Sequence, residues 1–112
     1  MSQTTTQILF PQTVFNNMST VTGDRKPAAS YYLGNKDTQT LLWNLTGVSG
    51  KIIVQASLVD NPLGTDWFTV HTIEASNLTQ ISYTNIQGNF VWMRAQINLF
   101  TQGTIQSIKV SY

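Results

Sequence analysis

The 112-residue chain is 41% hydrophobic and 11% aromatic, a composition that excludes a disordered polypeptide and suits one domain with its own core. Charged residues make up only 10%, the formal net charge is +1 and Arg25-Lys26 is the only basic doublet, so we expect no nucleic-acid partner. The absence of cysteine excludes disulfides and thiolate metal sites, and no apolar run approaches the roughly 20 residues of a membrane-spanning helix, so we expect no membrane partner.

Residues 1–27 are rich in Thr, Gln and Asn and contain two short apolar groups separated by Pro11. We interpret them as an extended N-terminal arm that ends in loop formers. Its apolar side chains either dock on a neighbouring subunit or supply the first strand of the domain. The interface candidates in this arm are Ile8, Leu9, Phe10, Val14 and Phe15. The first seven residues lack the basic and apolar regions of a signal peptide, which predicts synthesis in the cytoplasm.

Residues 28–112 form the predicted domain, in which strands recur at short and regular spacing. The predicted strands cover residues 28–33, 38–45, 51–58, 67–74, 80–86, 89–99 and 104–112. Apolar residues alternate with polar ones, residues 47–50 are turn formers, and no segment has helical periodicity. These patterns predict an all-β fold: a single antiparallel β-sandwich, jelly-roll-like, with about eight strands.

The alternation assigns one face of each strand to the core, because successive side chains of a strand point to opposite faces. The predicted core residues are Leu41, Trp43, Ile52, Val54, Leu58, Phe68, Val70, Ile81, Ile108 and Val110.

Residue types that perform catalysis are scarce. His71 is the only histidine and Glu74 the only glutamate, and the chain has no Gly-rich phosphate loop. We therefore expect no enzyme and no cofactor. Asp60, Asn61 and Asp66 share one loop, and their hard oxygen atoms suit calcium. Their spacing is not that of an EF-hand, so we interpret them as turn and capping residues.

The tryptophans are the other candidates for a binding site. Trp43 falls on the predicted core face, Trp67 follows a loop, and Trp92 shares its strand face with Arg94 and Gln96. We interpret these rings as core or interface residues and add Trp67 and Trp92 to the interface candidates. Glycan binding is the alternative, because sugars stack on flat, exposed aromatic rings. The rings that could line such a platform are those of the three tryptophans together with Tyr31, Tyr32 and Tyr83.

Three segments have an order and spacing that can be compared with known families: TLLWNLTG at 40–47, IVQASL followed by DWFTV between 53 and 70, and GNFVWMRA at 88–95. Together they resemble small virion structural proteins of tailed phages, especially contractile-tailed cyanophages. The resemblance covers residues 28–112. The V-x-A-S-L … D-W-F pattern of the middle segment is also similar to β-sandwich carbohydrate-binding and discoidin-like modules.

The first resemblance implies a component of a virion, made in the cytoplasm of the bacterial host. We expect a non-enzymatic capsid decoration or cement protein that self-associates and docks on the major capsid protein or other virion proteins. Because the charge is low, electrostatic repulsion between copies of the chain is weak. Two alternatives stay open: a tail, neck, baseplate or fibre module, receptor-binding modules included, and a carbohydrate-binding module with a glycan as its partner.

Overall fold

The computed structural model describes residues 6–10, 12–15, 19–29 and 38–112, which are nearly all strand. The strands are β1 (Thr6–Phe10), β2 (Thr13–Phe15), β3 (Ser19–Thr22), β4 (Lys26–Pro27), β5 (Thr38–Ser57), β6 (Phe68–Gln87) and β7 (Trp92–Ser111). A short 3-10 turn, Gly64–Asp66, lies between β5 and β6. Thr, Ile and Val are frequent in the long strands and favour extended backbone. The described part of the chain contains no helix with the length and hydropathy needed to cross a bilayer.

All these strands belong to one antiparallel sheet with the order β1-β7-β5-β6. β5 pairs along most of its length with β6 on one side and with β7 on the other. The four short N-terminal strands pair in turn along the opposite edge of β7, so that β1 lies beside residues 108–111 and β4 beside residues 92–93. Within the described residues, β6 is therefore an edge strand.

Each of the three long strands bends near its middle. A straight strand of 20 residues is about 66 Å long, whereas the principal extents of the molecule are 39, 35 and 18 Å. The bends lie at Gly47, Asn77 and Gly103, whose φ angles of 59°, 49° and 116° are positive. The sheet thus folds back along one line, called here the fold line, and the result is a β-sandwich-like arrangement of two layers.

Close contacts join the bends to one another. The Gly47 N–H donates to Thr79 Oγ1 at 2.9 Å, and the Asn77 N–H donates to Ser49 Oγ at 2.9 Å. A Cβ atom at Gly103 would lie 2.5 Å from the Gly47 carbonyl oxygen. Glycine is therefore required at Gly103 both by its positive φ and by the nearness of β5.

The fold line divides the sheet into two halves. The first half contains β1, β2 and residues 38–46, 78–87 and 104–111 of the long strands. The second half contains β3, β4 and residues 51–57, 68–75 and 92–98. Their inner faces meet, since Trp43 of the first half stacks on His71 of the second with ring centroids 5.4 Å apart.

One continuous core fills the space between the halves. Its fully buried members include Leu9, Leu41, Leu45, Val48, Ile52, Val54, Met93, Ala95, Ile97, Ile105, Ile108 and Val110. Six predicted core residues are confirmed as buried: Leu41, Trp43, Ile52, Val54, Ile108 and Val110. Val70 is half-buried and packs against this core.

Three predicted core residues are wrong. Leu58, Phe68 and Ile81 are 58%, 40% and 70% exposed. Leu58 lies beyond the end of β5, where the strand alternation no longer applies. Ile81 pairs with Asn44, whose neighbours Trp43 and Leu45 are buried, so Ile81 lies on the outer face of the edge strand β6. Phe68 pairs with buried Ala56 and contacts the Phe90 ring, but it is the first residue of this edge strand and is covered incompletely. Ile73 and Ile86 provide the buried side chains of this strand.

The all-β, antiparallel class is confirmed. The division into about eight short strands is not the one found, because residues 47–50 continue β5, and residues 75–79 and 100–103 continue β6 and β7. A hairpin turn would make its two flanking segments pair with each other. Both parts of β5 pair with β6 and β7 instead, so the turn formers produce a bend.

The described parts of residues 1–27 contain β1–β4 and lie in the same sheet as the rest of the chain. Leu9 and Phe10 are buried in the common core, whereas Ile8 is 49% exposed. The side chains of Leu9 and Phe10 thus pack against other residues of their own chain. This position agrees with the alternative that the segment supplies a first strand of the domain.

Other predictions for the N-terminal third concern residues that the structure describes only in part or not at all. The backbone of Val14 and Phe15 forms part of β2, and their side chains are not among those that the structure describes. The strand predicted over residues 28–33 falls largely outside the described residues, and so do Tyr31 and Tyr32.

Candidate functional site

The outer face of the second half contains the most distinctive surface of the molecule. Along β5 and β7 of this half, the inward residues are buried and the outward ones are half-buried, except Ser57, which is buried. Gln55 of β5 pairs with Arg94 of β7, and Ser57 pairs with Trp92. Period-two alternation therefore places Trp92 and Arg94 together on the outer face, beside Gln55.

Trp67 joins this surface from the other side of β5. It immediately precedes Phe68, which pairs with Ala56. Trp67 and Trp92 thus flank the last residues of β5, about two interstrand spacings or 10 Å apart. Two of the predicted interface residues, distant in sequence, are brought onto one surface.

Arg94 is fixed between two neighbours. Its guanidinium lies over the Trp67 ring, 4.2 Å from the centroid, and its Nε donates to Gln55 Oε1 at 2.8 Å. Burial lowers the pKa of Arg94, but a guanidinium stays charged at physiological pH. The contact with the electron-rich face of the indole partly compensates the charge.

Trp92 is held in a similar way. Its Nε1 donates to the Asp60 carbonyl oxygen at 2.8 Å, and the guanidinium of Arg25 lies 4.5 Å from its ring centroid. Because the indole N–H is hydrogen-bonded and one ring contact is made by arginine, the orientation of this half-buried ring is restricted. Trp67, Trp92, Arg25, Arg94 and Gln55 are called here the tryptophan face.

Amide and hydroxyl groups extend this surface along β7. Gln96 Nε2 donates to Thr22 Oγ1 at 3.1 Å, and Thr20 Oγ1 donates to Asn98 Oδ1 at 3.2 Å. These side chains lie at the surface, and each still has unused donor or acceptor capacity. The tryptophan face therefore combines two aromatic rings, the guanidinium groups that lie over them, and neutral hydrogen-bonding groups next to them.

The loop before β6 supports Trp67 without forming a metal site in the part of the chain that the structure describes. Asp66 Oδ2 accepts the Leu63 N–H at 2.8 Å, and the Asp66 N–H donates to the Leu63 carbonyl at 3.0 Å. The Asp66 carboxylate therefore closes a turn, as its interpretation as a turn residue requires. No group of three or more His, Asp or Glu side chains among the described residues is placed to hold a metal ion.

His71 and Glu74 lie on opposite sides of β6. His71 faces inward against Trp43, whereas Glu74 faces outward and forms an ion pair with Lys51 at 3.6 Å. An open depression of about 280 Å³ lies next to this pair, lined by Gly50, Lys51, Glu74, Ala75 and Ser76. The two residues considered for catalysis are thus not brought together.

The outer face of the first half is different. It presents Ile8, Leu42, Ile81 and Tyr83, called here the apolar patch, of which Tyr83 is 66% exposed. Tyr83 and Leu42 pair across β5 and β6, and Ile8 pairs with Lys109. The predicted interface residue Ile8 is therefore on the half opposite to Trp67 and Trp92.

Sequence reasoning identified both tryptophans and the face that Trp92 shares with Arg94 and Gln96. It missed Arg25, because its contact with Trp92 depends on the pairing of β4 with the first residues of β7. It also missed Gln55, although the alternation of β5 places that residue on the outer face.

No family model matches the chain, and no curated protein matches it. Among solved structures, the chain is similar to a family 29 carbohydrate-binding module from Piromyces equi, with a TM-score of 0.50 and 10% sequence identity. The match covers 98% of this chain and 91% of that one. At this identity the likeness concerns the fold, and it extends over nearly the whole chain.

This similarity corrects one expectation. The sequence led us to expect a capsid decoration or cement protein, but the fold is similar to a carbohydrate-binding module. The expectation came from short segments such as residues 40–47 and 88–95, which lie on or beside strands of a sandwich-like fold. The pattern in such segments reflects the alternation of side chains along β-strands, and unrelated β proteins share this alternation.

Proposed function

We propose that this chain is a non-enzymatic glycan-binding module and that the tryptophan face is its binding site. The observation that supports it best is the pair of half-buried rings, Trp67 and Trp92, on one outer sheet face with fixed orientations. Sugar rings have apolar faces that pack on indoles and hydroxyl edges that need hydrogen-bonding partners. The tryptophan face offers both kinds of contact within about 10 Å.

The similarity to a carbohydrate-binding module supports the same proposal at the level of the fold. The spacing of the two rings suits a short oligosaccharide that contacts both of them rather than a single sugar. Side chains held in place before binding lose little entropy on binding, which favours affinity. Self-association, virion partners and a virion location stay predictions that the described contacts do not test.

The test is a binding measurement on the full chain with a panel of neutral and acidic oligosaccharides, by glycan array and then by calorimetry. We expect saturable binding that weakens roughly tenfold or more in Trp67→Ala and in Trp92→Ala, since truncating a central aromatic contact costs about 1–2 kcal/mol or more. Trp→Phe variants at the same positions keep a flat ring and should retain part of the affinity.

Tyr83→Ala is the matched control, because Tyr83 is an exposed aromatic residue on the outer face of the other half. It should leave binding unchanged, and thermal unfolding of all variants should show that they fold. If Tyr83→Ala were the only variant to lose binding, the binding site would lie on the apolar patch. A chain that binds no saccharide of the panel would contradict the proposed function.

A further inference from the structure

The tryptophan face contains two arginines, Arg25 and Arg94, that form no ion pair with a carboxylate among the described residues. Among the described residues, the ion pair is formed by Lys51 and Glu74. Arg25 contacts the ring of Trp92, and Arg94 contacts a ring and the Gln55 amide oxygen. Neither arginine has an acidic partner in the described part of the chain.

The acidic residues nearest in sequence and structure are engaged elsewhere or stand apart. Asp66 accepts a hydrogen bond from the Leu63 backbone, and Asp60 contributes its backbone carbonyl to Trp92. Asp24 precedes Arg25 and is exposed, but forms no ion pair with it. The positive groups at the rings are therefore free to meet an external anion.

Such an anion would stabilise the charged guanidinium of Arg94 most. Its guanidinium is partly removed from water, which disfavours the charge and lowers the pKa of Arg94. A partly desolvated cation without a counter-charge is a cost that an incoming anion reduces. Within the described part of the chain the guanidinium donates one hydrogen bond, from Nε to Gln55, and its remaining N–H groups form the planar fork that binds carboxylate or sulfate oxygens in pairs.

Resting on the proposed function, we infer that the tryptophan face selects acidic saccharides, in which one sugar packs on an indole while a neighbouring anionic substituent binds the guanidinium of Arg94, with Arg25 as a second cation beside Trp92. The shared chemistry is a negatively charged group on a sugar. It has two sources, the carboxylate of uronic-acid or sialic-acid sugars and the sulfate ester of sulfated sugars.

The experiment compares ligands that differ only in charge. Calorimetry on the full chain uses a carboxylated oligosaccharide, its neutral methyl ester, and a sulfated oligosaccharide of similar length, each at low and at high salt. We expect the acid to bind roughly tenfold to a hundredfold more tightly than its ester, because a hydrogen bond to a charged group contributes about 1.5–3 kcal/mol. Salt should weaken the binding of the acid and leave the ester unaffected.

Two variants locate the charge effect. Arg94→Gln should reduce affinity for the acid to that of the ester, and unchanged ester affinity in this variant shows that Trp67 is still in place. Lys109→Gln removes the same charge from the first half, where Lys109 pairs with Leu42, and should preserve the preference for the acid.

The outcomes separate the two proposals. Equal affinity for acid and ester overturns the inference while the glycan-binding function stands. Equal loss of the preference in Lys109→Gln also overturns it, since the effect would then come from overall charge. Binding of the sulfated ligand alone supports the inference and identifies the anion as sulfate. A chain that binds none of the three ligands contradicts the proposed function itself.

Discussion

The two halves of the bent sheet are made from the same three strands, yet only their inner faces are alike. Inside, both halves contribute large aliphatic residues to one core, such as Leu41 from the first and Ile52 from the second. Outside, the second half presents the tryptophan face and the first half presents the apolar patch. The inner faces must satisfy the same packing requirement, whereas each outer face is free to evolve its own chemistry.

The largest expected effect tests whether the halves depend on each other. Leu41→Ala and Ile52→Ala remove fully buried side chains from the first and the second half, and each should lower the free energy of unfolding by about 2–5 kcal/mol. Because the core is continuous, each variant should show one cooperative transition in urea, followed by fluorescence and by circular dichroism. Two separate transitions would mean that the halves fold independently and that each half is a domain of its own.

A second prediction concerns the buried amide side chain of Gln39 in the first half. Gln39 is buried, its Nε2 donates to the carbonyls of Ile86 and Gly88, and its Oε1 accepts the Ala29 N–H. Gln39→Leu removes these three hydrogen bonds to backbone groups and should cost about 1–3 kcal/mol.

Hydrogen exchange should locate this loss at the end of the first half, around residues 86–90, with the tryptophan face unaffected. Gln87→Leu is the control, since Gln87 is exposed, and should change stability by less than about 0.5 kcal/mol. Equal destabilisation by both changes would contradict the role given to Gln39.

A third prediction addresses the fold line that separates the halves. Gly103→Ala places a Cβ atom 2.5 Å from the Gly47 carbonyl oxygen at a positive φ, and should cost about 1–3 kcal/mol. Gly64→Ala is the control, because a Cβ atom there meets nothing within 4 Å. Denaturant unfolding measures both variants, and a tolerated Gly103→Ala would show that the bend does not require the close approach.

The smallest effect is expected from the ion pair of the second half. Lys51 and Glu74 are 3.6 Å apart with side chains 42% and 77% exposed, so solvent screens their attraction. A double-mutant cycle with Lys51→Gln and Glu74→Gln should give a coupling energy below about 1 kcal/mol that decreases with salt. A larger, salt-independent coupling would indicate that the depression beside this pair is less hydrated than its exposure suggests.

Alternation predicted the inner face best where a strand has neighbours on both sides. Leu41, Ile52 and Ile108 lie on β5 and β7, which are paired along both edges, and all three are buried as the alternation predicted. Ile81 lies on the edge strand, where the rule is weaker. The bend at Gly47 was predicted as a turn, because turn residues look the same whether the chain reverses or bends.

The candidate site was only partly visible in the sequence. Trp67 and Trp92 stood out by residue type, and the alternation placed Arg94 beside Trp92. The stacking of Arg94 on Trp67 and of Arg25 on Trp92 depends on pairing between distant segments, and no local pattern encodes such pairing. The contrast between the two outer faces therefore emerged only from the folded sheet.

The pairing of β1 with the end of β7 brings Thr6 opposite Ser111, with their hydroxyl oxygens 3.4 Å apart. A short peptide can therefore join these two positions, and the chain can be reopened between Asn61 and Pro62, in a loop outside every described strand. Such a circular permutant keeps all the strand pairings and the bond from Trp92 to Asp60. The same proximity would let the module be inserted into a surface loop of a host protein, where its tryptophans would project on a scaffold with adjacent points of attachment.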